Sequence, residues 1–118
     1  MRAAFAGVAA SVFMAATALA GGKLTPSEIQ TTFFTGQPFT ASTPQGIVYK
    51  MTFTPDGKMT REPKGRQGAK NEGTWKLSKD GYCTTWKGSP QGCFAVLNTA
   101  DNKWSIMKGT VAIATWTK

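Results

Sequence analysis

The sequence contains no histidine, and only six of its 118 residues carry a carboxylate. Histidine is the side chain that titrates nearest neutral pH, so its absence removes the commonest general acid or base. Four of the acids fall at positions with structural roles, three in predicted turns and one in a predicted helix cap (Asp56, Asp80, Asp101 and Glu28). The spacing of Glu62 and Glu72 does not demand the separation of a glycosidase pair. We therefore predict no enzymatic activity, no catalytic residue and no cofactor.

Cysteine is also scarce, with Cys83 and Cys93 as the only pair. In an oxidising compartment such a pair is expected to form one disulfide. The loop-entropy relation gives about 2.7 kcal/mol for so short a ring. The alternatives are weaker, because a structural zinc site needs four ligands and a redox pair would usually read C-x-x-C. We predict the disulfide and no metal site.

The sequence has one long hydrophobic run, at its N-terminus. Met1-Arg2 is a positive start, residues 3–16 are apolar and rich in alanine, and Ala18-Leu19-Ala20 is an A-x-A cleavage signal. This layout predicts a secretory signal peptide over residues 1–20. The alternative, a retained anchor, would need ~20 strongly apolar residues. We expect a soluble β domain over residues 21–118, periplasmic or secreted, with no transmembrane segment after cleavage.

The residues after the cleavage site predict a short helix. Thr25 can act as the N-cap, Pro26 suits the first helical position, and Glu28 completes a capping box. Ile29 and Phe33 are four residues apart and so share a face. We place the helix at about Pro26 to Thr35, with Gly36 ending it.

The remaining sequence favours short strands. From residue 47 apolar and polar residues alternate, which is typical of a half-buried strand, and turn signals recur every eight to twelve residues. The predicted strands cover residues 47–54, 58–62, 74–77, 82–87, 93–98, 103–108 and 110–116. With the segment that follows residue 37, we count seven or eight. The fold class is therefore mostly β, a small antiparallel barrel or a strongly curved sheet with one N-terminal helix, lipocalin-like in general shape.

The disulfide fixes a register for two of these strands. If Cys83 faces Cys93 across an antiparallel pair, Tyr82 faces Phe94 on the opposite side of the sheet. One face, made of Tyr82, Trp86, Phe94 and Val96, is then predicted to be core, and the bridge lies on the other face with Lys87 and Leu97.

A basic segment is the best local candidate for binding. The chain carries a net charge of +8, and the segment from Lys58 to Lys70 is rich in lysine and arginine. Such groups grip phosphate or carboxylate. The candidate ligand-binding residues are Arg61, Lys64, Arg66 and Lys70, together with Trp116. The alternative is a solvated hairpin loop that only aids solubility.

Four tryptophans are many for a small domain. Trp75, Trp86 and Trp104 lie in alternating strands, so we expect them in the core. The functional alternative is an aromatic barrel mouth that holds a small apolar ligand. Trp116, near the C-terminus, is expected to be the most exposed of the four.

Several short motifs occur in a recognisable order: Gly73-Thr74-Trp75, then Cys83-x-x-Trp86, then Cys93-Phe94, preceded by a Pro-Asp-Gly turn and the leading helix. In this order and spacing the chain resembles a family of small exported proteobacterial β-proteins of unknown function. The resemblance implies an exported β domain and carries over no active site. The Gly-x-Trp motif is also similar to that of lipocalins, where it lies near the first strand rather than in mid-chain.

Three hypotheses follow for a monomeric protein. The first is a non-catalytic binding module for an anionic envelope component, through the basic loop. The second is a periplasmic protein-interaction or inhibitor domain, and the third is a carrier of a small apolar ligand. The expected partners are an anionic lipid, a glycolipid or an acidic protein, and export argues against nucleic acid.

Overall fold

A computed structural model describes residues 22–65 and 68–118. The predicted signal peptide and Arg66 lie outside these residues. The described residues form one helix, α1 (Pro26–Phe33), and eight strands. The strands are β1 (Phe39–Ser42), β2 (Val48–Phe53), β3 (Lys58–Pro63), β4 (Asn71–Leu77), β5 (Tyr82–Trp86), β6 (Gly92–Ala100), β7 (Lys103–Lys108) and β8 (Val111–Thr117). None of the described helical segments is long and apolar enough to cross a membrane.

The eight strands form a closed antiparallel barrel in sequence order. Each strand pairs with its neighbours in the chain, and β1 pairs with β8 through contacts such as Ala41 with Trp116. The predicted fold class is confirmed, and of its two forms the closed barrel is the one observed. Closure leaves no sheet edge open to pairing with another chain.

Strand β1 was not resolved as a separate element by the sequence pattern, although it completes the barrel. Its four residues alternate between buried and half-buried positions, with Phe39 and Ala41 pointing to the core. It pairs with β2 from Phe39 opposite Met51 to Ser42 opposite Val48. The strand therefore supplies both the last ladder of the barrel and part of its core.

Helix α1 begins as predicted and ends two residues earlier. The Thr25 side chain accepts a hydrogen bond from the Glu28 amide, and the Glu28 carboxylate accepts one from the Thr25 amide. The C-cap is Phe34, whose ring stacks on Phe53 with centroids 4.5 Å apart. The chain leaves the helix there because burying the Phe34 ring requires it. Gly36 then takes a positive φ of 91° and donates its amide to the Phe53 carbonyl.

The register predicted from the disulfide is confirmed. Cys83 pairs with Cys93 across β5 and β6, with the sulfur atoms 2.04 Å apart, and Tyr82 pairs with Phe94. The predicted core face is also confirmed, since Tyr82 and Val96 are buried and Trp86 and Phe94 pack against the core.

The buried Tyr82 phenol makes the fold sensitive to alkali. Burial raises the pKa of Tyr82 above its usual 10.0, because a phenolate is poorly solvated in an apolar interior. The unfolded chain ionises near the usual value, so the contribution of Tyr82 to stability is complete below that pH and is lost as the pH rises toward the folded pKa.

We expect the free energy of unfolding of the wild type to fall by about 1.4 kcal/mol per pH unit more than that of Tyr82→Phe, above roughly pH 10. Urea titrations of both proteins over a pH series measure this difference, because the two proteins differ only in the Tyr82 hydroxyl. Parallel curves would show that the phenol is not buried.

Candidate functional site

The two ends of the barrel differ in what covers them. Helix α1 covers one end, where the Phe33 ring meets the rings of Trp104 and Trp116 edge to face, each at 4.8 Å between centroids. The opposite end, which we call the mouth, is formed by the described loop residues 43–47, 64–65, 68–70, 87–91 and 109–110. The antiparallel order places all four of these loops at one end. A ligand that enters the barrel must therefore pass through the mouth.

A cavity of about 140 Å³ lies inside the barrel toward the mouth. Its lining is mainly apolar and aromatic, and includes Met51, Tyr82, Phe94, Ile106 and Trp116. This volume is below the ~300–1,000 Å³ that is typical of drug-sized pockets. Only a small molecule, or one end of a larger one, can be held there.

Arg61 brings a positive charge to this lining. It lies on β3 opposite Met51 of β2, in the same inward phase as the buried Met59. Its guanidinium carbon is 4.9 Å from the ring centroid of Tyr49 and 4.5 Å from that of Trp86. Two aromatic faces therefore hold the guanidinium, an arrangement that cation–π attraction favours.

The hydrogen-bonding capacity of Arg61 is incompletely used. Its Nε is buried and has no hydrogen-bond partner. In residues 22–65 and 68–118 the ion pairs join Lys23 with Asp80 and Lys50 with Glu62, so neither of them neutralises Arg61. A buried donor without an acceptor is uncommon and costly, which makes this position the most informative in the barrel.

The structure separates the candidate residues of the basic segment into two groups. Arg61 lines the cavity, whereas Lys64 and Lys70 are exposed in the loop at the mouth. The amide of Lys64 donates to the Val48 carbonyl at 2.9 Å and ties the start of this loop to β2. The interior cation and the surface cations therefore belong to the same end of the barrel.

The expected exposure of Trp116 is wrong. The side chain is only 2% exposed and packs against Phe33, Phe39 and Tyr82. Pairing of β8 with β1 carries the C-terminal strand into the closed barrel, so a position near the chain end is buried. Trp116 does line the cavity, but from inside the core. The other three tryptophans pack against the core as expected.

The sequence assigned Trp86 to a binding site only in the alternative of an aromatic barrel mouth, and it did not assign Tyr49 to one. The signal was present in the alternation of β3, because an arginine in phase with Met59 must point inward once Phe53 pairs with Met59. Tyr49 follows as the inward residue next to Met51 on β2. Trp86 lies on β5, so its contact with Arg61 becomes evident only in the folded barrel.

A wider groove of about 720 Å³ lies on the outer surface of β4 and β5. It is shallow and carries charges of both signs, with Lys58 and Lys87 beside Glu72. The described residues contain no group of three His, Cys, Asp or Glu side chains placed to hold a metal ion. The cavity and the mouth remain as the candidate site.

No protein-family model, no curated protein and no solved structure matches this chain.

Proposed function

We propose that this protein is an exported, non-catalytic binding module that takes an anionic envelope component at the mouth of its barrel. The observation that carries the proposal is the uneven distribution of charge between the two ends. Exposed lysines lie on the strand ends and loops of the mouth (Lys64, Lys70, Lys87 and Lys108). The acids at that end are Glu72 and Glu62, and Glu62 is paired with Lys50 at 3.5 Å.

The other four carboxylates lie toward the helix-covered end (Glu28, Asp56, Asp80 and Asp101). There they partly offset six exposed lysines, as in the pair of Asp80 with Lys23 at 3.6 Å, and leave that end less positive than the mouth. The six lysines are Lys23, Lys58, Lys76, Lys79, Lys103 and Lys118. A surface with an excess of one sign of charge at one end attracts and orients partners of the opposite sign. An anionic surface would therefore meet the mouth first.

An apolar side chain accompanies the lysines at the mouth. Val111 is 61% exposed at the start of β8, close to Lys108 across the last hairpin. Lysines beside an exposed apolar side chain suit the interface of an anionic lipid layer, where both charge and apolar contact contribute. These features favour a lipid headgroup surface over an acidic protein as the first probe.

Cosedimentation with vesicles tests the proposal. The wild type is expected to bind vesicles of phosphatidylcholine and phosphatidylglycerol in equal parts, and not vesicles of phosphatidylcholine alone. At about 1 kcal/mol for each basic residue lost from the surface, Lys64→Glu/Lys70→Glu should weaken binding by at least roughly thirtyfold, because each change also adds a negative charge. Arg61 is kept intact, because a buried carboxylate at that position would destabilise the barrel.

The matched control reverses two exposed lysines at the helix-covered end, in Lys79→Glu/Lys103→Glu. Both double variants change the net charge equally, so only the location of the change differs. Equal weakening in both would mean that net charge alone is responsible and would refute a binding mouth. Absence of binding by the wild type at low salt would refute the proposal outright, since charge attraction is strongest there.

The cavity favours carriage of a small ligand as a second candidate function. The lining is apolar and continuous with the mouth, and it contains one cation. Binding in the cavity would resist salt far better than binding through the exposed lysines, because apolar burial does not depend on charge screening.

A further inference from the structure

The guanidinium of Arg61 lies over two aromatic rings, and its Nε has no hydrogen-bond acceptor. The rings are those of Tyr49 and Trp86, whose centroids lie 4.9 Å and 4.5 Å from the guanidinium carbon. A guanidinium donates hydrogen bonds only in its own plane, so aromatic rings on its faces cannot satisfy those donors. An acceptor must approach along the edge.

No carboxylate of the described residues is paired with this edge. Glu62 is adjacent in sequence but points outward, where it meets Lys50 of the neighbouring strand. Glu72, the other acid near the mouth, is exposed on β4. The barrel therefore contains a fixed positive charge beside an apolar cavity without an internal counter-ion.

We propose that the cavity is a binding site for a small apolar monocarboxylate, whose carboxylate accepts hydrogen bonds from the guanidinium of Arg61, which lines it. Two parallel bonds of this kind are the usual pairing of arginine with a carboxylate. The alkyl or aryl part of the acid would lie among Met51, Phe94 and Ile106, which line the same cavity. The volume of about 140 Å³ limits that part to a short chain or a single ring.

The charge of the cavity favours a carboxylate over a phosphate group. Arg61 is the only cationic side chain among the described residues that line it. One guanidinium balances one carboxylate, whereas a phosphate dianion would keep an uncompensated charge in an apolar interior, which is costly. The buried Tyr82 phenol adds a neutral donor to the lining, since its raised pKa keeps it protonated.

The aromatic contacts also prepare the site for binding. Arginine loses considerable rotamer freedom when it is fixed, and a side chain already held between two rings has lost that freedom before the ligand arrives. Tyr49 and Trp86 are therefore positioning residues for the guanidinium. Lysine cannot replace arginine here, because an ammonium group lacks the planar pair of donors.

This inference deepens the proposed function and rests on it, because the acid would enter through the same positively charged mouth. Isothermal titration of the protein with hexanoate and with 1-hexanol is the test. The two probes share their alkyl chain, so the difference in affinity reports the carboxylate. We expect hexanoate to bind one to one and at least about tenfold more tightly than hexanol. This comparison needs no variant.

Arg61→Met should remove the preference for hexanoate while retaining weak binding of hexanol, and Arg61→Lys should recover only part of it. Equal affinity of the wild type for both probes, or an unchanged preference in Arg61→Met, would overturn the inference. The control is Lys79→Met, which removes an exposed charge at the helix-covered end, away from both the cavity and the mouth, and should leave hexanoate affinity nearly unchanged.

The vesicle assay keeps the two proposals distinguishable. Arg61→Met should still bind phosphatidylglycerol vesicles through the exposed lysines, whereas Lys64→Glu/Lys70→Glu should still prefer hexanoate to hexanol. Failure of the carboxylate site therefore leaves vesicle binding intact, and failure of the mouth leaves the titration intact.

Discussion

Replacing Phe33 with alanine is expected to lower the free energy of unfolding by about 3–5 kcal/mol, the range for a fully buried phenylalanine. Phe33 is completely buried and lies at the centre of an aromatic cluster. Its ring centroid is 5.0 Å from that of Phe39 and 4.8 Å from those of Trp104 and Trp116. These three partners come from β1, β7 and β8, and the pairing of β1 with β8 closes the barrel.

The truncation removes more than one contact. The alanine would leave a void between the helix and three large rings, and rings of that size cannot collapse into it without leaving their own contacts. Edge-to-face aromatic pairs add about 0.5–1.5 kcal/mol each beyond the area that they bury. The helix itself is short, so packing rather than intrinsic helix propensity must hold it against the barrel.

Urea denaturation followed by tryptophan fluorescence measures this loss. Thr31→Ala is the matched control, because Thr31 is exposed on the same helix and its hydroxyl bonds only to helix carbonyls. That change should stay within about 0.5 kcal/mol. Phe33→Leu keeps most of the volume and should fall between the two, which preserves the test if the alanine variant does not fold. A loss below about 1 kcal/mol in Phe33→Ala would mean that the helix does not support the barrel end.

The packing of helix α1 into one end of the barrel also bears on the proposed function. With one end filled by Phe33 and Phe34, the cavity lies in the half of the barrel that faces the mouth, beside Arg61. The same packing that stabilises the fold thus leaves one route to the interior. The charge that would attract a ligand lies on that route.

Much of the barrel could be predicted from the sequence because its signals are local. The alternation along Tyr49, Met51 and Phe53 identifies an inward face without knowledge of the partner strand. The Thr25-Pro26-x-Glu28 capping box defines where the helix begins. The two cysteines add one long-range constraint, and it fixed the register of Tyr82 opposite Phe94.

The features that were missed depend on contacts between distant segments. Strand β1 is four residues long, which is too short for a clear period, and its pairing with β8 joins residues about seventy-five positions apart, such as Ala41 and Trp116. That pairing is also the reason that Trp116 is buried. The end of α1 was placed too late because the tertiary packing of Phe34 overrides the local stop signal at Gly36.

Only part of the candidate site could be predicted from the sequence, for the same reason. A run rich in lysine and arginine indicates a surface loop, and Lys64 and Lys70 are indeed exposed. Arg61 belongs to that run in sequence but to the barrel interior in space. Its aromatic partners, Tyr49 and Trp86, come from two other strands. Within the basic segment only the alternation with Met59 distinguishes this arginine from its neighbours, and it does so only once the inward phase of β3 is known.

Removing the disulfide is expected to produce the second large effect. The strands β5 and β6 are joined by three residue pairs, with Cys83 opposite Cys93 in the middle. Just before β5, a Cβ on Gly81 would lie 2.0 Å from the Phe94 carbonyl oxygen, so the backbones approach very closely there. The disulfide therefore crosses a short and tightly packed strand pair, β5 with β6.

The variant Cys83→Ala/Cys93→Ala should lose about 2.7 kcal/mol of unfolding free energy, because the ten-residue separation of the cysteines sets the loop entropy restored to the unfolded chain. Cys83 is buried, so a small void adds to the loss, whereas Cys93 is exposed and contributes no void.

Urea denaturation of the wild type, with and without a phosphine reductant, is the measurement. The reduced wild type should resemble the double variant, and the reductant should leave the double variant unchanged. A loss below about 1 kcal/mol in both the reduced wild type and the double variant would show that β5 and β6 stay paired without the disulfide. In that case the three residue pairs and the close approach at Gly81, rather than the cross-link, hold the wall of the cavity that Tyr82 and Trp86 line.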